Sequence, residues 1–134
     1  MKLCNPTRKL TVEALEKVYE RLNVRFDEYD GESMYAASEE HTSQVLNLLE
    51  GKDLLRQLED GRRVMEMPNG KRVTVVKSDG STLYVTRDCA AAMDRARRYA
   101  GMDRSLYVVE SAQHEHFSNV FQILDRFAIH LNHP

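Results

Sequence analysis

The feature that most restricts the fold is a series of short apolar segments cut by glycine turns: LLRQL, EDG, RRVMEM, PNG, KRVTVV and KSDG. Each segment is too short to hold a helix on its own. Asp-Gly and Asn-Gly steps supply the tight reversals that hairpins need. Three such runs in succession predict a small antiparallel meander over about residues 52–78.

Helical periodicity brackets this meander on both sides. Thr11 to Asn23 places Val12, Leu15, Val18, Tyr19 and Leu22 on one face, with Thr11 as the expected N-cap. RFDEY, residues 25–29, follows as a strand or extended segment ending at Gly31. A second helix is expected from about Ser38 to Glu50 through Val45, Leu48 and Leu49, stopped by Gly51. After KSDG, Thr86 to Tyr99 is helical, with Cys89, Ala92, Met93, Ala96 and Tyr99 on one stripe. SLYVV, residues 105–109, reads as a buried strand. A last helix starts near Gln113 or His114 and repeats Phe117, Val120, Phe121, Leu124, Phe127 and Leu131 at helical spacing.

Helix, strand, helix, antiparallel insertion, helix, strand, helix is the order of an α/β fold. Ligands in open sheets of this class sit at the carboxyl ends of the strands. That places interest on Asp30, Gly31 and Glu32 after the first strand, and on Glu110 to His116 after the second.

At 134 residues, with 42% apolar and 30% charged side chains, the chain fits one soluble globular domain spanning 1–134. The opening MKLCNPTRKL lacks the apolar stretch of a secretory signal, and no run approaches membrane-spanning length. Cys4 and Cys89 provide neither a disulfide framework nor a zinc site, so a reducing compartment is expected. Acids dominate residues 24–60 and bases dominate 61–110, where Arg95, Arg97 and Arg98 cluster. A basic cluster of this kind either faces phosphates or forms a solvated helix face, and the second reading is favoured.

Tests of candidate chemistry remove several options. In QHEH, His114 and His116 cannot face one ion from the same side of a helix, and no HExxH is present, so no metal is assigned. Cys89 has no neighbouring histidine to activate it and reads as a small buried apolar residue. SDGS is a turn and not a phosphate loop. Asp88 is placed in the first turn of its helix, where the macrodipole favours an anion. Tyr84 precedes it by four residues, and Glu32 lies at the same expected sheet edge. Two acids and a phenol are the groups a planar cation such as guanidinium requires, with structural capping as the competing account of Asp88.

YDGES at 29–33, KSDGSTLYVTRD at 77–88, AAAMDR at 90–95 and YVVESAQHEHF at 107–117 together resemble the catalytic domain of arginyl-tRNA synthetase, in the right order and over roughly Leu10 to Leu124. The resemblance implies part of a class I nucleotide-binding, Rossmann-like parallel sheet with the meander as a small insertion. It implies an arginine pocket lined by Glu32, Tyr84, Asp88 and Gln113, with His116 as a possible neighbour. It implies ATP with Mg as co-substrate, and L-arginine and tRNA as partners, in the cytoplasm or the mitochondrial matrix. Arginine would be joined to ATP as an adenylate and then transferred to the terminal ribose of its tRNA, with tRNA itself needed for activation. Exclusion of lysine would follow from geometry, since two acids left without a guanidinium fork are penalised.

Three departures from the family pattern bear on activity. The His-x-Gly-His signature, a KMSKS-like loop and a helical anticodon-binding domain are all missing from the sequence. Glu110 and Ala112 also differ from the residues more usual at that strand end. The chain alone is therefore expected not to aminoacylate. A competing expectation is a non-catalytic arginine-binding or interaction module that self-associates through exposed edges or through Phe117, Phe121 and Phe127, against which stands their reading as an ordinary core stripe.

Overall fold

The computed structural model of the chain describes residues 4–31, 34–35 and 39–127. These fall into two compact units, Met1–Met34 and Tyr35–Pro134.

The first unit is built on α1 (Cys4–Arg21). The helix starts before the expected cap, so Thr11 is an interior residue whose hydroxyl donates to the Thr7 carbonyl at 2.9 Å. The amphipathic pattern located the helix but not its start, because the polar residues ahead of Thr11 are themselves compatible with helix. Asn23 ends it in the left-handed region, φ 54°, and the Val24 N–H reaches back to the Tyr19 carbonyl at 2.9 Å. The Tyr19 carbonyl also accepts from the Leu22 N–H at 3.1 Å, so two donors close the helix end on it. Residues 25–29 are not a strand. They fold back so that Phe26 packs edge-on against Tyr19 and Tyr29, with ring centroids 4.8 and 6.0 Å apart.

The second unit begins with Tyr35 and α2 (Glu39–Gly51). Gly51 is the last helical residue, and the left-handed position falls on Asp53, φ 55°, followed by a Leu54 N–H to Leu49 carbonyl bond of 2.9 Å. The meander follows as expected: β1 (Leu55–Gln57), β2 (Arg63–Glu66) and β3 (Arg72–Val76) form an antiparallel sheet in the order β1-β2-β3. Its three turns repeat one design. Gly61, Gly70 and Gly80 all have φ between 79° and 84°, and the Asp or Asn before each accepts a bond from the backbone N–H after it, at 2.9–3.0 Å. Only glycine adopts that backbone without strain, and the Asx side chain closes the loop locally.

The last of these turns positions everything downstream. Thr82 bridges back to Val76, and the Leu83 N–H bonds the Val75 carbonyl at 3.3 Å. With Leu83 still extended, α3 (Tyr84–Arg98) starts at once against β3. The Thr86 hydroxyl, buried, donates to the same Val75 carbonyl at 2.8 Å. The expected helix start at Thr86 is thus two residues late. Asp88 lies in the second turn, where the macrodipole has largely fallen away, so helix-end stabilisation does not explain it.

The stripe expected on α3 is broader than its periodicity implied. Cys89, Ala90, Ala91 and Ala92 are all buried, because α2, β3 and α4 (His114–Arg126) pack around the helix. The core combines these with Val45, Leu49, Met65, Val75, Val120, Ile123 and Leu124. At the far end of α3, the Tyr35 hydroxyl donates to Asp94 at 3.0 Å and Arg98 donates to the same carboxylate at 2.8 Å.

Between α3 and α4 the chain is extended but unpaired. SLYVV forms no strand among the described residues, and Leu106 and Val108 are 77% and 97% exposed. A strand needs a neighbour for its backbone groups, and none of the described residues supplies one. The expected parallel sheet does not form among them, and the fold they show is mixed α/β with one small antiparallel sheet. A single 3₁₀ turn, Ser111–Gln113, leads into α4. The aromatic stripe of α4 is largely internal: Phe127 is buried, and Phe117 and Phe121 pack on Tyr107 with centroids 5.4 and 5.3 Å away. Leu131 lies outside the described residues. Among those described, no helix is long and apolar enough to cross a membrane.

Truncating Ile123 to alanine at the centre of this core is expected to lower unfolding stability by about 2–5 kcal/mol. Leu106→Ala, at an exposed position, is expected to change it by less than about 0.5 kcal/mol; urea denaturation of both variants checks the contrast. Burial, aided by the adjacent Asp88 carboxylate, pushes the Cys89 thiol pKa up. Cys89 should therefore resist iodoacetamide in the folded chain and react on unfolding, as read by peptide mapping.

Candidate functional site

Four of the five candidate residues lie among the described residues of the second unit. Glu32 lies outside the described residues. Tyr84 is the first residue of α3 and is 63% exposed. Asp88 follows one turn later, and the i, i+4 spacing sets both on one face of the helix. Gln113 closes the 3₁₀ turn at the entry to α4, with its side chain exposed and its N–H bonded to the Glu110 carbonyl at 2.9 Å.

Two of these residues are brought into direct contact. His116, in the first turn of α4, places Nε2 2.6 Å from Asp88 Oδ2. Both side chains are about one-third exposed, 33% for His116 and 35% for Asp88. The pairing joins the N-terminal regions of two helices that sequence spacing alone could not bring together. One turn further along, the Cys89 thiol lies 3.9 Å from the Val120 carbonyl, a second contact between the same helices. The Phe117 ring meets the imidazole edge-on, with centroids 5.2 Å apart.

Charges around this point are arranged rather than random. The Arg87 guanidinium lies over the Tyr84 ring, 5.5 Å from its centroid, an i, i+3 pair that helix geometry would have revealed once the helix start was known. Lys71, from the turn after β2, pairs with Glu115 on the first turn of α4. The Lys71 hydrogen bond and charge hold the exposed Glu115 carboxyl below its usual range. In the described contacts Asp88 pairs with His116, and no lysine or arginine contacts it.

The arginine cluster of α3 separates into roles. Arg98 donates to Asp94 and, at 3.2 Å, to the Tyr35 hydroxyl. Arg95, Arg97 and Arg98 occupy the last turn of α3, where cations complement the helix dipole. Among the described residues no group of three or more His, Cys, Asp or Glu side chains is placed to hold a metal ion.

A cavity of about 450 Å³ lies against α4, lined by Tyr107, Glu110, His114, Phe117, Phe121 and Asp125 among others. Tyr84, Asp88, Gln113 and His116 do not line it. The chemistry-bearing residues instead sit on open surface at the start of α3 and α4. That surface can accept a cation through Asp88 and meet a polar group through Tyr84, and it holds no nucleophile, since Cys89 is buried and protonated.

The sequence matches the family described as tRNA synthetases class I (R), catalytic domain, over residues 2–132. It is similar to the probable mitochondrial arginine–tRNA ligase of Homo sapiens, 46% identical over 121 residues that cover 87% of this chain and 20% of that protein. It is also similar to the arginine–tRNA ligase of Encephalitozoon cuniculi, 40% identical over 125 residues covering 93% of this chain and 21% of that protein. The crystal structure of arginyl-tRNA synthetase from Plasmodium falciparum superposes with a TM-score of 0.72 at 28% identity, covering 93% of this chain and 21% of that one. The chain spans about a fifth of the length of the curated relatives it matches. A family match running through α1, the meander and both helices of the Asp88–His116 contact means that the chain belongs to the class I tRNA synthetase (R) catalytic-domain family.

Proposed function

We propose that this chain forms part of the arginine-recognising wall of an arginine–tRNA ligase, with Asp88 as the carboxylate that meets the substrate guanidinium. The observation that carries the reading is the placement of Asp88: un-neutralised by lysine or arginine, on the Tyr84 face of α3, at the entrance to α4. A carboxylate kept partly dry gives a guanidinium a charge-assisted contact, and the planar fork fits it by a geometry that a lysine ammonium lacks. Tyr84 contributes a hydroxyl contact and Gln113 a polar contact in this reading. Glu32 supplies a second carboxylate.

In the whole ligase, arginine is activated with ATP to an adenylate and passed to the terminal ribose of its tRNA. His-x-Gly-His does not occur in this sequence, and the reading assigns ATP and Mg binding to other parts of the ligase. The extended segment 105–109, with Leu106 and Val108 turned to solvent, is assigned as a strand of the class I parallel sheet, with the meander inserted between the two halves of one domain. The Homo sapiens relative is a probable mitochondrial ligase, and this reading carries cytoplasm and mitochondrial matrix as the two compartments. Against self-association through the α4 aromatics stands the burial of Phe127 and the packing of Phe117 and Phe121 on Tyr107.

Calorimetric titration of the purified chain tests the reading. L-arginine is expected to bind, with lysine and citrulline at least about tenfold weaker, and Asp88→Ala is expected to lower arginine affinity by roughly 10- to 100-fold. Absence of arginine heat from a chain with native circular dichroism would sink the assignment.

A further inference from the structure

We infer that His116 is a positioning residue for Asp88: it holds one carboxylate oxygen and so orients the group that meets a guanidinium. The inference rests on the reading of Asp88 as the arginine-recognising carboxylate.

The geometry carries the inference. His116 Nε2 lies 2.6 Å from Asp88 Oδ2, and no described group bonds Oδ1. The contact is held between two packed helices, with the Cys89–Val120 contact beside it and the Phe117 ring edge against the imidazole. A carboxylate fixed at one oxygen loses its side-chain freedom before the ligand arrives, so less entropy is lost on binding. Oδ1 then remains open to a ligand. A pair serving only to pack the two helices needs no exposure, whereas this one is about one-third open on both sides.

The experiment is titration of the purified chain with L-arginine for the wild type, His116→Gln, His116→Ala and His116→Phe, with circular dichroism for each. The glutamine amide keeps a donor for Oδ2, whereas phenylalanine keeps a ring without one. H116Q should bind within about threefold of wild type, and H116A and H116F about tenfold more weakly. Wild-type affinity in a folded H116A or H116F, or an H116Q as weak as H116A, overturns the role of His116 and leaves the pocket standing. If H116A does not fold, H116F and H116Q decide. If the wild type binds no arginine, the pocket reading falls and takes this inference with it.

Discussion

The close approach of α2, β3 and α4 to α3 is the constraint on which the larger unit depends. Ala90, Ala91 and Ala92 are all buried, so the helix has neighbours on more than one side and none can stand far off. Small side chains permit that approach, and Cys89 fills the same role toward Val120. A larger residue at Cys89, which meets Val120, would push α4 away from α3 and carry His116 away from Asp88. The core packing and the candidate site are therefore one problem rather than two.

The direction of α3 is fixed from its other end. The Gly80 turn returns the chain to β3, where Thr82, Leu83 and Thr86 all bond strand backbone. A helix tied to a sheet by its first residues has little freedom to tilt, so Tyr84 and Asp88 are presented on a rigid element. Gln113 and His116 arrive differently, at the end of an extended segment that has no strand partner among the described residues. Half of the site is thus anchored by a sheet, and half by the packing of α4.

Much of the fold was legible because it is locally encoded. Each meander turn needs a left-handed residue, and glycine after Asp or Asn marks it; the apolar spacing of α2, α3 and α4 marks the faces that pack. Boundaries were less legible. The start of α3 was misplaced by two residues because a strand backbone, rather than a side-chain cap, initiates it. Gly51 was taken as a stop because glycine usually provides the left-handed position, whereas Asp53 holds it here. The two expected strands failed because a strand is defined by a partner, and hydrophobicity at 105–109 carries no information about where that partner is.

By itself, the sequence determined the antiparallel meander, the amphipathic helices and the motifs that place the chain in the class I tRNA synthetase (R) family. Those features depend on residues close together in the chain, whose turn chemistry, periodicity and order can be read directly. The pairing of Asp88 with His116, the burial of every residue in the alanine run and the exposure of Val108 were decided only by tertiary structure. They depend on which helix packs against which, and at what distance, and that is fixed by the filling of a shared core rather than by any local signal.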